Sequence, residues 1–257
     1  MKKLFLLVAI AAITTGLYAQ KGAFAGLNFA YNSTWLMNPQ VFDDGAGQDI
    51  VPSFGHYYGL VLGYNFIDNV GVEVDVNFSK VVQKYTGRLN IWLTDNYNTY
   101  NSRIQMNTID IPLMIRFGEK SYFEMGGVFQ IVNAVSYTQD FNDPHGIITS
   151  YWYKDLVLYH TFVPEGTIEV QEKFRKNGFG VALGFGSDID LWEDRLALNF
   201  GVRFQYILTD MEGINGLGFN IDSNYVPSNH NDINEKDRFH TNPLIGGFKI
   251  GLKYRIE

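Results

Sequence analysis

The run Val70–Phe78, VGVEVDVNF, constrains this chain more than any other stretch. Val70, Val72, Val74, Val76 and Phe78 fall on one side of a period of two, and Gly71, Glu73, Asp75 and Asn77 on the other. That alternation is the mark of a strand, whose successive side chains point to opposite faces. The run before it alternates as well, with Tyr58, Leu60, Leu62, Tyr64 and Phe66 set against Gly59, Val61, Gly63 and Asn65. The break Ile67-Asp68-Asn69 between the two predicts a tight hairpin. In a soluble sandwich the valine face would be the core and the acids would be wetted. In a membrane barrel the assignment inverts, with the apolar face on lipid and the charges in the lumen.

The pattern recurs along the chain, predicting strands at about 22–31, 57–66, 70–85, 104–117, 122–138, 177–191, 195–208 and 242–256. The joins 67–69, 118–121 and 192–194 are short, whereas 32–56, 86–103, 139–176 and 209–241 are long. Long and short joins alternate without exception. A sandwich has no reason to place every long loop at one end, but a barrel inserted from the periplasm keeps short turns inside and long loops outside. Lipid offers no hydrogen bonds, so no sheet edge can stay open and the last strand must close on the first. The fold class is therefore all-β, an eight-stranded antiparallel up-and-down transmembrane β-barrel.

Aromatic residues near the strand ends fit two interfacial girdles. Tyr64, Phe66, Phe117, Tyr122, Phe123, Trp192 and Tyr254 stand on the turn side, and Tyr31, Tyr57, Tyr137 and Tyr206 on the loop side. Residues 148–174 hold two more extended runs around Val163-Pro164-Glu165-Gly166. There Ile168 and Val170 share a face with Glu172, and Trp152 and Leu156 with Lys154. A charge on the lipid face costs about 2–4 kcal/mol at the midplane. These runs therefore predict a hairpin projecting above the outer leaflet, not two further barrel strands.

The first 19 residues read as an export signal: basic Lys2 and Lys3, apolar Leu4–Ile13, and a small-residue site at Leu17-Tyr18-Ala19 with cleavage after Ala19. The apolar segment is shorter than the roughly 20 residues a spanning helix needs. The expected domains are thus a signal peptide at 1–19 and an outer-membrane barrel at 20–257. The chain has no Cys, hence neither a lipid-bearing cysteine nor a disulfide framework. Its net charge of −7, more negative still without Lys2 and Lys3, argues against nucleic acid as a partner.

Glu73, Asp75, Arg116, Glu124, Asp188, Arg203, Lys249, Lys253 and Arg255 all fall on the lumen side of their strands. Eight strands enclose only enough room for side chains, and an unpaired buried charge is very costly. These nine residues therefore predict an ion-pair network that fills the lumen, with a small-solute channel or ligand-binding barrel as the alternative. Acids and bases in comparable number favour the plug, because selective pores carry one dominant sign at the constriction. His56, His145, His160, His230 and His240 fall in the expected loops, but no spacing resembles a nucleophile motif or a metal-ligand pair. The reading is non-enzymatic, with a surface hydrolase the remotest alternative. Asp43, Asp44 and Asp49, and the stretch Asn231–Asp237, lack calcium-loop spacing and read as solvated loops. Neither cofactor nor metal is expected. Trp92, Tyr97, Tyr100, Tyr151, Trp152 and Tyr153 give the loops exposed aromatics of the kind found at protein contacts. The expected partners are outer-membrane lipid and lipopolysaccharide, together with proteins met through the extracellular loops.

Four segments carry a resemblance: Phe24-Ala25-Gly26-Leu27-Asn28, Ile109-Asp110-Ile111-Pro112-Leu113, Gly178–Gly186, and Gly251-Leu252-Lys253-Tyr254-Arg255-Ile256. Together they resemble the small outer-membrane β-barrels of Bacteroidetes, the PorT-like family, over essentially the whole exported chain. The resemblance implies a non-enzymatic barrel, and implies that some members serve type IX protein secretion and gliding as accessory barrels. Pro112 removes a ladder hydrogen bond and is expected at a bulge. The chain ends on Glu257, whereas many outer-membrane barrels end on an aromatic residue.

Overall fold

The computed structural model describes residues 22–38, 48–67, 69–90, 97–141, 148–152, 158–162, 166–171, 174–192, 195–211 and 240–256. The leader at 1–19, Trp92, Tyr153, His145, His230 and the segments 42–45 and 231–237 lie outside them. Twelve strands follow in order: β1 Gly22–Met37, β2 Gln48–Val51, β3 Phe54–Ile67, β4 Val70–Asn90, β5 Tyr97–Phe117 and β6 Ser121–Phe141. Then come β7 Ile148–Trp152, β8 Leu158–Phe162, β9 Gly166–Glu169, β10 Asn177–Trp192, β11 Leu196–Ile207 and β12 Asn242–Ile256.

Eight of these close a ring in the order β1, β3, β4, β5, β6, β10, β11, β12, with every neighbouring pair antiparallel. The last strand closes on the first, with Phe29 opposite Ile250. The ring leaves no strand edge within the membrane band, as lipid requires.

The alternation sorts side chains as the period of two demands. Leu27, Leu60, Leu62, Leu113, Phe185, Phe248 and Ile250 point outward and are exposed, while Glu73, Asp75 and Asn77 are fully buried. The outward apolar band has a sharp loop-side limit on β4, β5 and β6. Phe78, Ile109 and Ile131 form one cross-strand row. Past it the outward positions become Lys80, Asn107, Gln105, Lys84 and Arg103, with the buried Val82 the exception on β4.

These three strands run 21 residues each, about twice the roughly 9–11 a spanning strand needs. Residues 97–103, expected in a loop, continue β5. The outward residues there are polar because water bathes them, so the apolar signal that marks a lipid-facing strand is missing. The loop 32–56 is likewise shortened, since β1 runs to Met37 and β3 begins at Phe54.

The hairpin above the barrel is present but differently placed. β7 pairs with β8, with Tyr151 opposite Tyr159, in a two-stranded sheet of its own. The Pro-Gly stretch at 163–166 instead leads into β9, which lies along β6 with Thr167 opposite Thr138. Three expected girdle residues also change place. Tyr57 and Tyr122 are buried in the lumen, and Tyr137 packs against the internal apolar cluster, because strand parity at each turns the ring inward. Pro112 is not at the bulge, which falls at Asn107/Thr108. The β4–β5 ladder is interrupted opposite it, between the pairs Val74–Leu113 and Asn77–Asp110.

Candidate functional site: the filled lumen and the loop-side wall

Arg203 on β11 sits at the centre of the lumen. Its Nε donates to Glu124 Oε1 at 2.6 Å, its Nη2 to Glu73 Oε1 at 3.0 Å, and its Nη1 to Asp75 Oδ2. One guanidinium thus joins carboxylates from β4 and β6 to a strand on the far wall. The planar fork of five donors suits that task where a lysine would not. Two lysines of β12 complete the neutralisation. Lys253 Nζ donates to Glu73 Oε2 at 2.6 Å, while Lys249 Nζ lies 3.3 Å from Glu73 Oε1 and 3.5 Å from Glu124 Oε1.

A second cluster lies nearer the turns. Arg116 pairs with Asp188, and Asn199 Nδ2 donates to Asp188 Oδ1 at 2.6 Å and to the Tyr122 hydroxyl at 2.8 Å. The Arg116 guanidinium also stacks 3.7 Å from the centre of the Tyr122 ring. Arg255, at the rim, reaches Asp190 at 3.1 Å.

All nine charges expected in the lumen therefore face inward, and eight of them join two linked clusters; Arg255 pairs at the rim with a residue not foreseen. Asp190 was legible, since it lies two residues beyond Asp188 on the same face. Asp110 is legible in the same way, from its inward parity on β5. It is buried and accepts from Thr108 Oγ1 and Gln130 Nε2, both at 2.9 Å. Tyr122 and Asn199 carried no charge to draw notice.

Above the ion pairs come buried polar residues, among them Asn77, Asp110, Gln130 and Gln205, and then an apolar layer. Met106, Val132, Val135, Ile207, Met211 and Ile245 form one cluster with Val170 and Phe174. The chain past β9 is drawn in by backbone bonds: Val170 N to Val135 O at 2.9 Å, Val132 N to Lys176 O and Arg175 N to Met211 O, both at 2.8 Å. The loop-side mouth is thus covered by greasy side chains over a neutralised charge layer.

Tyr97 begins β5, and Tyr151 and Trp152 end β7. Tyr100 is a buried residue of β5 whose ring lies over Gly87, not an exposed loop side chain. Of the histidines, His56 lies on β3 opposite Lys80, and His240 is exposed just before β12. Among the described residues no group of three or more His, Asp or Glu is placed to hold a metal.

A closed ring with lipid-facing apolar residues and a charged interior defines an outer-membrane β-barrel. This chain belongs to the family described as outer membrane protein beta-barrel domain, whose model matches residues 4–255. Solved structures similar to it include Neisserial surface protein A (12% identity over 91% of this chain and 97% of that one, TM-score 0.34). The outer membrane protease OmpT of Escherichia coli matches at 11% identity over 95% and 99% of the two chains, with TM-score 0.36. Ail, the attachment invasion locus protein of Yersinia pestis, solved with the heparin analogue sucrose octasulfate, matches at 9% identity over 91% and 99%, with TM-score 0.32. A search of curated proteins returns no match.

Proposed function

We propose that this chain is a non-enzymatic, non-conducting barrel that works through its loop-side surface, in a structural or interaction role. The observation that carries this reading is the doubly closed lumen. Arg203 binds Glu73, Asp75 and Glu124 across it, and the cluster around Met211 and Phe174 covers the charges. A conduit would need a continuous polar path, and here it meets paired charges, a packed layer of buried polar side chains and then hydrocarbon. The resemblance to PorT-like barrels gives the role its expected form, an accessory of a protein-secretion (type IX-like) or outer-membrane assembly complex. A signal peptide cleaved after Ala19 belongs to the same reading.

Two measurements test it. The purified barrel in planar bilayers should give no stable conductance steps; regular steps would support the channel reading instead. Crosslinking in native membranes, followed by purification in gentle detergent, should retain a defined protein partner. Repeated recovery of the barrel alone would count against an accessory role.

A further inference from the structure

Lys84 and Arg103 are direct partners across the β4–β5 ladder, both on the outward face and both exposed. Side chains so placed have Cβ atoms about 4.5–5.5 Å apart, and like charges directly opposite destabilise a sheet. Among the described residues neither forms an ion pair within 4 Å. The acids on that face stand one step off the pair: Asp140 opposite Asn101, and Asp49 opposite Thr86. Lys84, Arg103, Asn101, Thr138 and Asp140 line an open cavity of about 340 Å³ on this wall. Closer to the membrane on the same face lies Lys80, between His56 on β3 and Asn107 on β5.

Height then selects the ligand. Lys80 is two residues beyond Phe78, where the apolar band ends, which is about 5 Å along the membrane normal for a strand tilted by about 40°. Arg103 is six residues beyond Ile109, or about 15 Å above the same row. The polar zone of an ordinary bilayer adds only about 5–8 Å to each side of the hydrocarbon core. A phospholipid phosphate can reach Lys80 but falls short of the Lys84–Arg103 pair. A glycolipid whose anionic sugars stand above its lipid phosphates reaches both.

We propose that Lys80, Lys84 and Arg103 form a binding site for an outer-leaflet glycolipid. Lys80 takes a phosphate at the lipid surface, and the Lys84–Arg103 cavity takes a phosphorylated or carboxylated sugar of the headgroup. Asn101 and Thr138 supply neutral hydrogen-bonding groups beside the two cations. This deepens the reading of a barrel that acts through its loop-side surface, and it shares that reading's orientation in the membrane.

The test uses the detergent-purified full barrel and rough lipopolysaccharide with a phosphorylated core, with binding followed by native mass spectrometry and by titration. The double variant Lys84→Gln/Arg103→Gln should bind at least about tenfold more weakly, since each surface cation near anionic lipid is worth about a factor of five. Anionic phospholipid should bind wild type and double variant alike, and Lys80→Gln should weaken both lipids. Lys120→Gln, at the turn-side end, should change nothing. Unchanged heat-modifiable migration on gels keeps misfolding from imitating the loss. Equal lipopolysaccharide binding by wild type and double variant would overturn the proposal. So would equal binding of dephosphorylated and decarboxylated glycolipid, or full competition by millimolar inorganic phosphate, which would mark a free-anion site. None of these results bears on conductance, so this site and the closed lumen stand or fall separately.

Discussion

Glu124 leans across Gly184, its partner on the β6–β10 ladder, so closely that a Cβ built on the glycine would stand 2.7 Å from Glu124 Cγ. The glycine is thus the space in which the carboxylate reaches Arg203. Gly184→Ala should push Glu124 aside and destabilise the barrel by about 1–3 kcal/mol, the usual penalty of overpacking. Urea unfolding in lipid vesicles, followed by tryptophan fluorescence, measures it. An unchanged midpoint would mean that Glu124 has other room.

Among the described residues Arg203 is the one group bonded to Glu73, Asp75 and Glu124 together. Arg203→Met should cost about 3–5 kcal/mol, because it strands buried carboxylates against each other. Adding Asp75→Asn should restore part of the loss, since it leaves Glu73 and Glu124 matched by Lys249 and Lys253. If the double variant is no more stable than Arg203→Met alone, the loss is one of packing and not of charge pairing.

Asn199 ties the lower cluster together by bonding both Asp188 and Tyr122. Asn199→Leu keeps the branched shape and removes both N–H donors, so about 1–3 kcal/mol should be lost from unsatisfied buried oxygens. The same unfolding assay reads it. Equal stability of variant and wild type would show that water replaces the amide.

Val74 lies at mid-height on the lipid side of β4, two residues from Val72 and Val76. Val74→Arg should lower stability in bilayers by about 2–4 kcal/mol, the midplane penalty for a cation on a barrel's outer face. Arg placed instead at Asn107, above the apolar limit, should cost about 1 kcal/mol or less. Similar costs at both positions would contradict the limit drawn at Phe78, Ile109 and Ile131.

The ring, its closure and the in–out sorting were legible because lipid enforces the alternation in every spanning strand. So were the nine lumen charges, since parity alone turns Glu73 and Lys249 inward. What the sequence hid lies where water meets both faces. The upper halves of β4, β5 and β6 carry Lys84, Arg103 and Asn101 outward, so nothing distinguishes them from loop. The inward turn of Val170 and Phe174 depends on packing against Met211 and Val135, contacts far apart in the chain. Tyr122 looked like a girdle aromatic because it sits at a strand end, and its parity, not its residue type, decided its place. The opposition of Lys84 and Arg103 follows from the β4–β5 register, which no single strand reveals.

A nitroxide on Val74→Cys tests the central assignment most directly, and the chain's lack of cysteine makes the label unique. In lipid vesicles its collision rate with dissolved oxygen should exceed that with a water-soluble nickel complex, and the same label on Arg103→Cys should show the reverse. A Val74 label that meets nickel more readily than oxygen, or that neither reagent reaches, would contradict a lipid-facing valine row and with it the barrel's inverted arrangement.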